Sequence, residues 1–159
     1  MIVGVTGHQE LDDPGGWERV REGIAAALAH EPAANIGLTS LAEGVDQVFA
    51  EELLRMKREV VAVLPFADYR SHLKETSLPR FDRLLRRCRN VIVLDAGDGV
   101  EASYMKAGTY IVDYSDVVIA VWDGRTSAGL GGTGDVVAYA LERRKRVVLI
   151  DVSPWRLPR

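Results

Sequence analysis

The sequence predicts an α/β fold, a single three-layer domain whose mostly parallel sheet carries helices on both faces. Six short apolar runs, rich in β-branched residues, recur at residues 2–6, 36–39, 60–64, 90–94, 116–122 and 146–151, and each has the length and composition of a strand. Segments with helical spacing separate most of them, so strand and helix alternate along the chain. The runs are continuously apolar rather than alternating with polar residues. That is the pattern of strands buried on both faces, in a sheet wound by right-handed crossovers.

Taken in order, the first run ends at Gly7-His8, after which Trp17, Val20, Ile24 and Leu28 share one helical face. The second run leads through LAEGVD into an alanine- and leucine-bearing helix over 45–56. The third closes on Pro65-Phe66. Residues 67–79, with Asp68, Tyr69, Arg70 and His72, show no clean period and are expected to form a mobile loop. RFDRLLRRCR sets Phe81, Leu84, Leu85 and Cys88 at i, i+3, i+4 and i+7, a helix with one buried stripe and its arginines facing away. After the fourth run a helix is expected over 101–114, with Gly108 weakening its middle. The fifth run stops at Asp123-Gly124, passes a loop holding Gly129, Gly131, Gly132 and Gly134, and resumes as a helix over 135–144 before the last strand. Residues 1–152 make one domain and 153–159 a loose tail.

Composition bounds the function. A chain of 159 residues with 47% hydrophobic and 27% charged residues is ordinary for one soluble domain, and at this size roughly 70% of the unfolded surface is buried without staples. A net charge of −3 argues against a protein held on nucleic acid by charge alone. The single cysteine, Cys88, cannot form an internal disulfide, and His8, His30 and His72 have no zinc spacing, so no metal is expected and a reducing cytoplasm fits. The chain opens directly on a strand and has no apolar run near the roughly 18 residues of a membrane span, so neither a signal peptide nor a membrane partner is expected.

Chemistry concentrates at the ends of the expected strands, where open parallel sheets bind ligands. The strand, glycine-rich loop and helix around residue 131 would point backbone N–H groups at the positive end of a helix dipole, a place suited to phosphate. A β-branched residue at Gly132 would block that approach and resist any positive φ there. Two familiar nucleotide signatures are missing. The first strand lacks G-x-G-x-x-G, which argues against nicotinamide or flavin cofactors; none is expected. Gly134 is followed by Asp135 rather than the Lys and Ser or Thr of a phosphate-binding NTPase loop. His8 could donate to a ligand hydroxyl or work as an acid or base, and Phe66 and Trp122 could flank a nucleobase.

The motifs VTGH, SLAEGVDQVFAEEL, AVLPF, SDVVIAVWDG and GLGGTGDVVAYA, in that order, resemble the Rossmann-like SLOG superfamily. That group includes the DNA-processing protein Smf/DprA, the Lonely guy phosphoribohydrolases and nucleotide-sensing domains of bacterial defence systems. The resemblance spans nearly the whole chain and implies a nucleotide pocket made by the loops carrying Gly7, Gly44 and Gly131-Gly132-Thr133. The expected ligand-binding residues are Gly7, His8, Ala42, Glu43, Gly44, Asp46, Phe66, Trp122, Gly131, Gly132, Thr133 and Gly134.

For catalysis the phosphoribohydrolase loop PGGxGTxxE would need a glutamate where this chain has Ala138, and Leu130 stands at its proline. Asp135 and Glu43 are the candidate replacements, with Asp46 and Asp123 behind them, though an acid in a first helical turn also serves as a cap. Gln9 stands where the resemblance implies an arginine, which removes a charged phosphate grip. The expected function is therefore a sensor or binding module for a nucleotide or nucleotide-derived ligand, working as a homo-oligomer or beside a separate effector. The alternatives are a phosphoribohydrolase-like enzyme acting on nucleoside monophosphates and, behind it, a single-stranded DNA binder. A nucleic-acid partner is not favoured, because no aromatics interleave with Arg80, Arg83, Arg86, Arg87 and Arg89 to stack bases.

Overall fold

The computed structural model of the chain describes residues 1–11, 13, 15–124 and 131–153. The elements run β1 (Ile2–Gly7), α1 (Gly16–Ala29), β2 (Ile36–Thr39), α2 (Val45–Arg55), β3 (Glu59–Leu64), α3 (Leu78–Arg86), β4 (Asn90–Val93), α4 (Val100–Tyr114), β5 (Val117–Trp122), α5 (Thr133–Glu142) and β6 (Arg146–Asp151). The strands form one sheet in the order β4-β3-β2-β1-β5-β6. Every pairing is parallel, with Val3 of β1 opposite Gly37 of β2 on one side and Val117 of β5 on the other. Strand order reverses at β1, so the loops after β1 and β5 diverge to opposite faces and leave a crevice at the carboxyl ends.

Alternate strand residues feed two cores, because successive side chains point to opposite faces. Val3, Val5, Val60, Ala62, Val117, Ile119 and Val121 pack with Ile24, Leu28, Phe49, Leu53 and Phe81 under α1, α2 and α3. On the other face Leu38, Val61 and Val63 pack with Ile111, and Val118 packs with Val112, Val136 and Ala140 of α4 and α5. The chain is thus a single Rossmann-like α/β domain with three layers.

The segment expected to be a mobile loop is instead built. It holds short 3-10 turns at Tyr69–His72 and Glu75–Ser77, and α3 begins at Leu78 with Pro79 in its first turn. Tyr69 is only 3% exposed and meets the Phe81 ring edge-on with centroids 6.1 Å apart, which anchors the segment to the core. A single buried aromatic on a four-residue turn leaves no periodic trace in the sequence. The arginines of α3 do not all face away either. Arg80 grips Glu51 of α2 with two bonds of 2.6 and 2.8 Å, and Arg21 of α1 reaches the same carboxylate at 2.7 Å. Arg21 also reaches the buried Glu52 at 3.0 Å, so Arg21, Arg80 and the two glutamates join α1, α2 and α3.

Gly129, Leu130 and residues 154–159 lie outside the described residues. Ser153, assigned to the tail, donates its hydroxyl to the Asp123 carbonyl at 3.1 Å. Among the described residues no helix is long and apolar enough to cross a membrane, and no cluster of three His, Cys, Asp or Glu could hold a metal ion.

Candidate functional site

A cavity of about 390 Å³ opens at the crevice beside β1. Thr6, Gly7, His8 and Gln9 enter it from the end of β1, Ser40, Ala42 and Asp46 from the loop and helix after β2, Pro65 and Tyr69 from beyond β3, and Asp123 from the end of β5. Tyr104, Ala107, Gly108 and Ile111 of α4 form one wall, and Gly131, Gly132, Thr133 and Val136 form the wall at the start of α5. Among the described lining residues there is no lysine or arginine; the charged groups are Asp46, Asp123 and the ionisable His8.

The α5 wall is a helix N-terminus with open donors. The N–H groups of Asp135 and Val136 already bond the Gly132 carbonyl at 3.1 and 3.2 Å, while those of Gly132, Thr133 and Gly134 have no partner among the described residues. Thr133 is 9% exposed and its hydroxyl is likewise unpartnered there. No fully buried side-chain oxygen among these residues lacks a partner, so that hydroxyl opens into the cavity. Unpaired N–H groups at the positive end of a helix dipole attract an anion. Gly131 makes the close approach possible. Its φ is +87°, and a Cβ there would stand 2.8 Å from the Met105 nitrogen of α4. Gly132 has φ −71° and ψ 171°, ordinary extended backbone, so the conformational demand falls at Gly131, one residue earlier than the sequence placed it.

The opposite side is acidic and aromatic. Asp46 sits in the first turn of α2, 8% exposed, and its Oδ2 accepts the N–H groups of Ser40 at 3.1 Å and Ala42 at 3.4 Å. Burial outweighs these bonds and the nearby Thr39 hydroxyl, pushing the carboxyl up to about 6. Tyr69 presents a hydroxyl with no hydrogen bond among the described residues. Burial first, then the nearby charges of Asp46 and Glu43, hold that hydroxyl well above its ordinary pKa, so it stays protonated. His8 faces Asp123: the Asp123 N–H donates to Nε2 at 3.3 Å, and Oδ1 lies 3.5 Å from the same nitrogen. An imidazole accepting at Nε2 carries its proton on Nδ1.

Gly7, His8, Ala42, Asp46, Gly131, Gly132 and Thr133 thus come together around one cavity, and the other sequence candidates lie beside it. Glu43 turns away, accepting the Lys74 N–H at 2.8 Å, with Lys74 also paired to Glu10. Gly44 backs onto the carbonyls of His8 and Gln9. Phe66 belongs to an aromatic cluster, stacked near Tyr104 at 6.2 Å and edge-on to Tyr69 and His72. Trp122 and Gly134 are off the lining. Asp135 reaches back so that its Oδ2 accepts the Gly131 N–H at 3.2 Å, which makes it a cap of the loop. Ala138 is exposed and off the lining. Burial pushes the Cys88 thiol up to about 11, leaving it protonated and unreactive at neutral pH.

The wall supplied by α4 went unnoticed in the sequence. Its one signal was Gly108, a glycine inside a helix, which here lets Val136 of α5 pack close: a Cβ would stand 2.7 Å from Val136 Cγ2.

No family model matches the sequence, and no curated protein matches it. Solved structures do. DNA processing protein A of Helicobacter pylori, described for its single-stranded DNA binding mode, superposes with a TM-score of 0.67 at 17% identity over 99% of this chain and 66% of that one. DNA processing protein A of Streptococcus pneumoniae gives 0.68 at 18% identity over 95% and 50%. The molybdenum cofactor binding protein of Rippkaea orientalis gives 0.59 at 24% identity over 94% and 76%. The chain spans about two thirds of the first of these proteins and half of the second. At these identities the likeness shows the fold alone, a Rossmann-like α/β domain shared with these proteins.

Proposed function

We propose that the chain binds a nucleotide or nucleotide-derived ligand as a sensor or binding module, with a phosphate on the first turn of α5. The observation that carries this is the pair of open N–H donors of Gly132 and Thr133, with the unpartnered Thr133 hydroxyl, on a cavity of about 390 Å³ at the strand-order switch. That volume suits a ligand the size of one nucleoside monophosphate. Catalysis at an N-glycosidic bond has less support, because Asp135 is engaged in capping Gly131 and Glu43 is held by Lys74. Single-stranded DNA is the ligand of one structural neighbour. Here the lining has no lysine or arginine among the described residues, and Arg80 is committed to Glu51, so a polyanion finds little fixed positive charge to meet. Calorimetric titration with AMP, ADP-ribose and cyclic dinucleotides tests the reading; no binding by any of them at millimolar concentration would end it. Homo-oligomerisation belongs to the same proposal, with the exposed Tyr114, stacked on Tyr110, as an apolar surface to cover; light scattering would measure it.

A further inference from the structure

Building on that reading, we propose that Asp46 and Tyr69 read an uncharged hydrogen-bond donor of the ligand, a hydroxyl or an amino group, and so hold its non-phosphate half. The two residues line one cavity and lie near enough for the Asp46 charge to act on the Tyr69 hydroxyl. Both are more than nine-tenths buried, Asp46 at 8% and Tyr69 at 3% exposure. The backbone donors of Asp46 both fall on Oδ2, and its Oδ1 accepts no backbone N–H. The Tyr69 hydroxyl is unpartnered among the described residues and, since no sealed side-chain oxygen is left unsatisfied, opens into the cavity.

A buried carboxylate with spare acceptor capacity repels phosphate and gains from a donor. An anion at α5 and a donor at Asp46 are therefore two ends of one ligand. The surroundings do not neutralise Asp46. The groups beside it are the Thr39 hydroxyl and the N–H groups of Ser40 and Ala42, and its charge bears on the Tyr69 hydroxyl, as those of Tyr104 and Glu43 do less strongly; His8 and Asp123 lie against each other, Tyr104 projects from α4, and Asp135 caps the α5 loop.

Binding a donor favours ionised Asp46, so affinity should rise with pH as that carboxyl ionises near 6; an anion against Asp46 would give the opposite slope. The probe is AMP, titrated calorimetrically at pH 5 and 7 against wild type, Asp46→Asn and Tyr69→Phe, with circular dichroism confirming the fold. The second ionisation of a phosphate monoester, near pH 6, is common to every variant, so the difference between wild type and Asp46→Asn isolates Asp46. A further gain of roughly tenfold from pH 5 to 7 in wild type over Asp46→Asn is expected. Tyr69→Phe should weaken binding about tenfold while the ring keeps its packing. Comparing 2′-deoxy-AMP and inosine monophosphate identifies the donor: one of them should lose affinity for wild type but not for Asp46→Asn. Binding with no such pH difference, with the reverse slope, or with neither analogue discriminated would overturn this assignment while leaving the nucleotide reading in place. Failure of wild type to bind AMP at either pH would end both.

Discussion

Gly44 and His8 are in backbone contact: a Cβ on Gly44 would stand 2.6 Å from the His8 carbonyl oxygen, the same oxygen that accepts the Val45 N–H at 3.2 Å. The contact joins the loop after β1 to the start of α2, so the two walls that carry His8 and Asp46 are set by one glycine. Its backbone, φ 82° and ψ −122°, is open only to glycine. Gly44→Ala should therefore lower stability by roughly 2–4 kcal/mol in urea unfolding, and binding in the cavity should fall with it. An unchanged midpoint would mean that the loops adjust independently.

Gly131 and Gly132 should respond differently. Gly131→Ala forces a side chain onto positive φ and against Met105, so both stability and binding should drop. Gly132→Val places no side chain on positive φ and should weaken AMP binding while leaving the thermal midpoint within a few degrees of wild type. Equal AMP affinity in Gly132→Val and wild type would reduce the loop to a connector.

Asp46 should give an unusual pH profile of stability. Its folded value, about 6, lies above the ordinary 3.8, so the folded state binds the extra proton and stability falls as pH rises between those values. The shift corresponds to about 3 kcal/mol, all of it expressed above pH 6. Denaturant midpoints of wild type and Asp46→Asn should therefore converge at pH 4 and separate at pH 7 in favour of the variant. Parallel profiles would show that Asp46 ionises freely in the fold.

Glu51 runs the other way. Burial raises its carboxyl, and the hydrogen bonds of Arg80 and Arg21 more than offset this, leaving it below the ordinary value. Its contribution is present at neutral pH and is lost as pH falls below about 4.5. Glu51→Gln leaves Arg21 and Arg80 short of a partner and should cost roughly 1–3 kcal/mol at pH 7, with the difference from wild type shrinking as pH falls through the lowered folded value. A cost that persists in acid would assign it to packing instead.

Glycosidic cleavage develops charge on the ribose that a carboxylate stabilises, and losing such a group typically costs a hundredfold or more in rate. With Asp135 capping Gly131, incubation with AMP, GMP or CMP should release little ribose 5-phosphate over hours. Robust release that disappears in Asp135→Asn would make the chain an enzyme.

The six strands and five helices were legible because each is signalled locally, by continuous β-branched runs or by an apolar stripe such as Phe81, Leu84 and Leu85. Only the ends shifted, as where α3 begins at Leu78 rather than 80. The cavity was half legible. Gly7, Asp46 and Gly131 stand beside turn signals at strand ends, whereas Tyr69 and Tyr104 enter from segments whose role is fixed by tertiary packing. Phe66 and Glu43 show the converse error: adjacency to a strand end says nothing about which way a side chain turns, and an aromatic cluster and Lys74 claimed them.

The strand order also dictates when the cavity can exist. β2, β3 and β4 add one after another to one edge of β1, each beside its predecessor, but the other edge of β1 waits for Val117–Trp122, more than a hundred residues later. A chain emerging from the ribosome can assemble its first four strands early, whereas the β1–β5 seam pairs the most distant partners and closes late. Until then the edge of β1 is an open template for another strand. Ligand cannot recruit the fold at that stage, since Asp123 and the α5 donors have not arrived; whatever protects the nascent half-sheet must act without it.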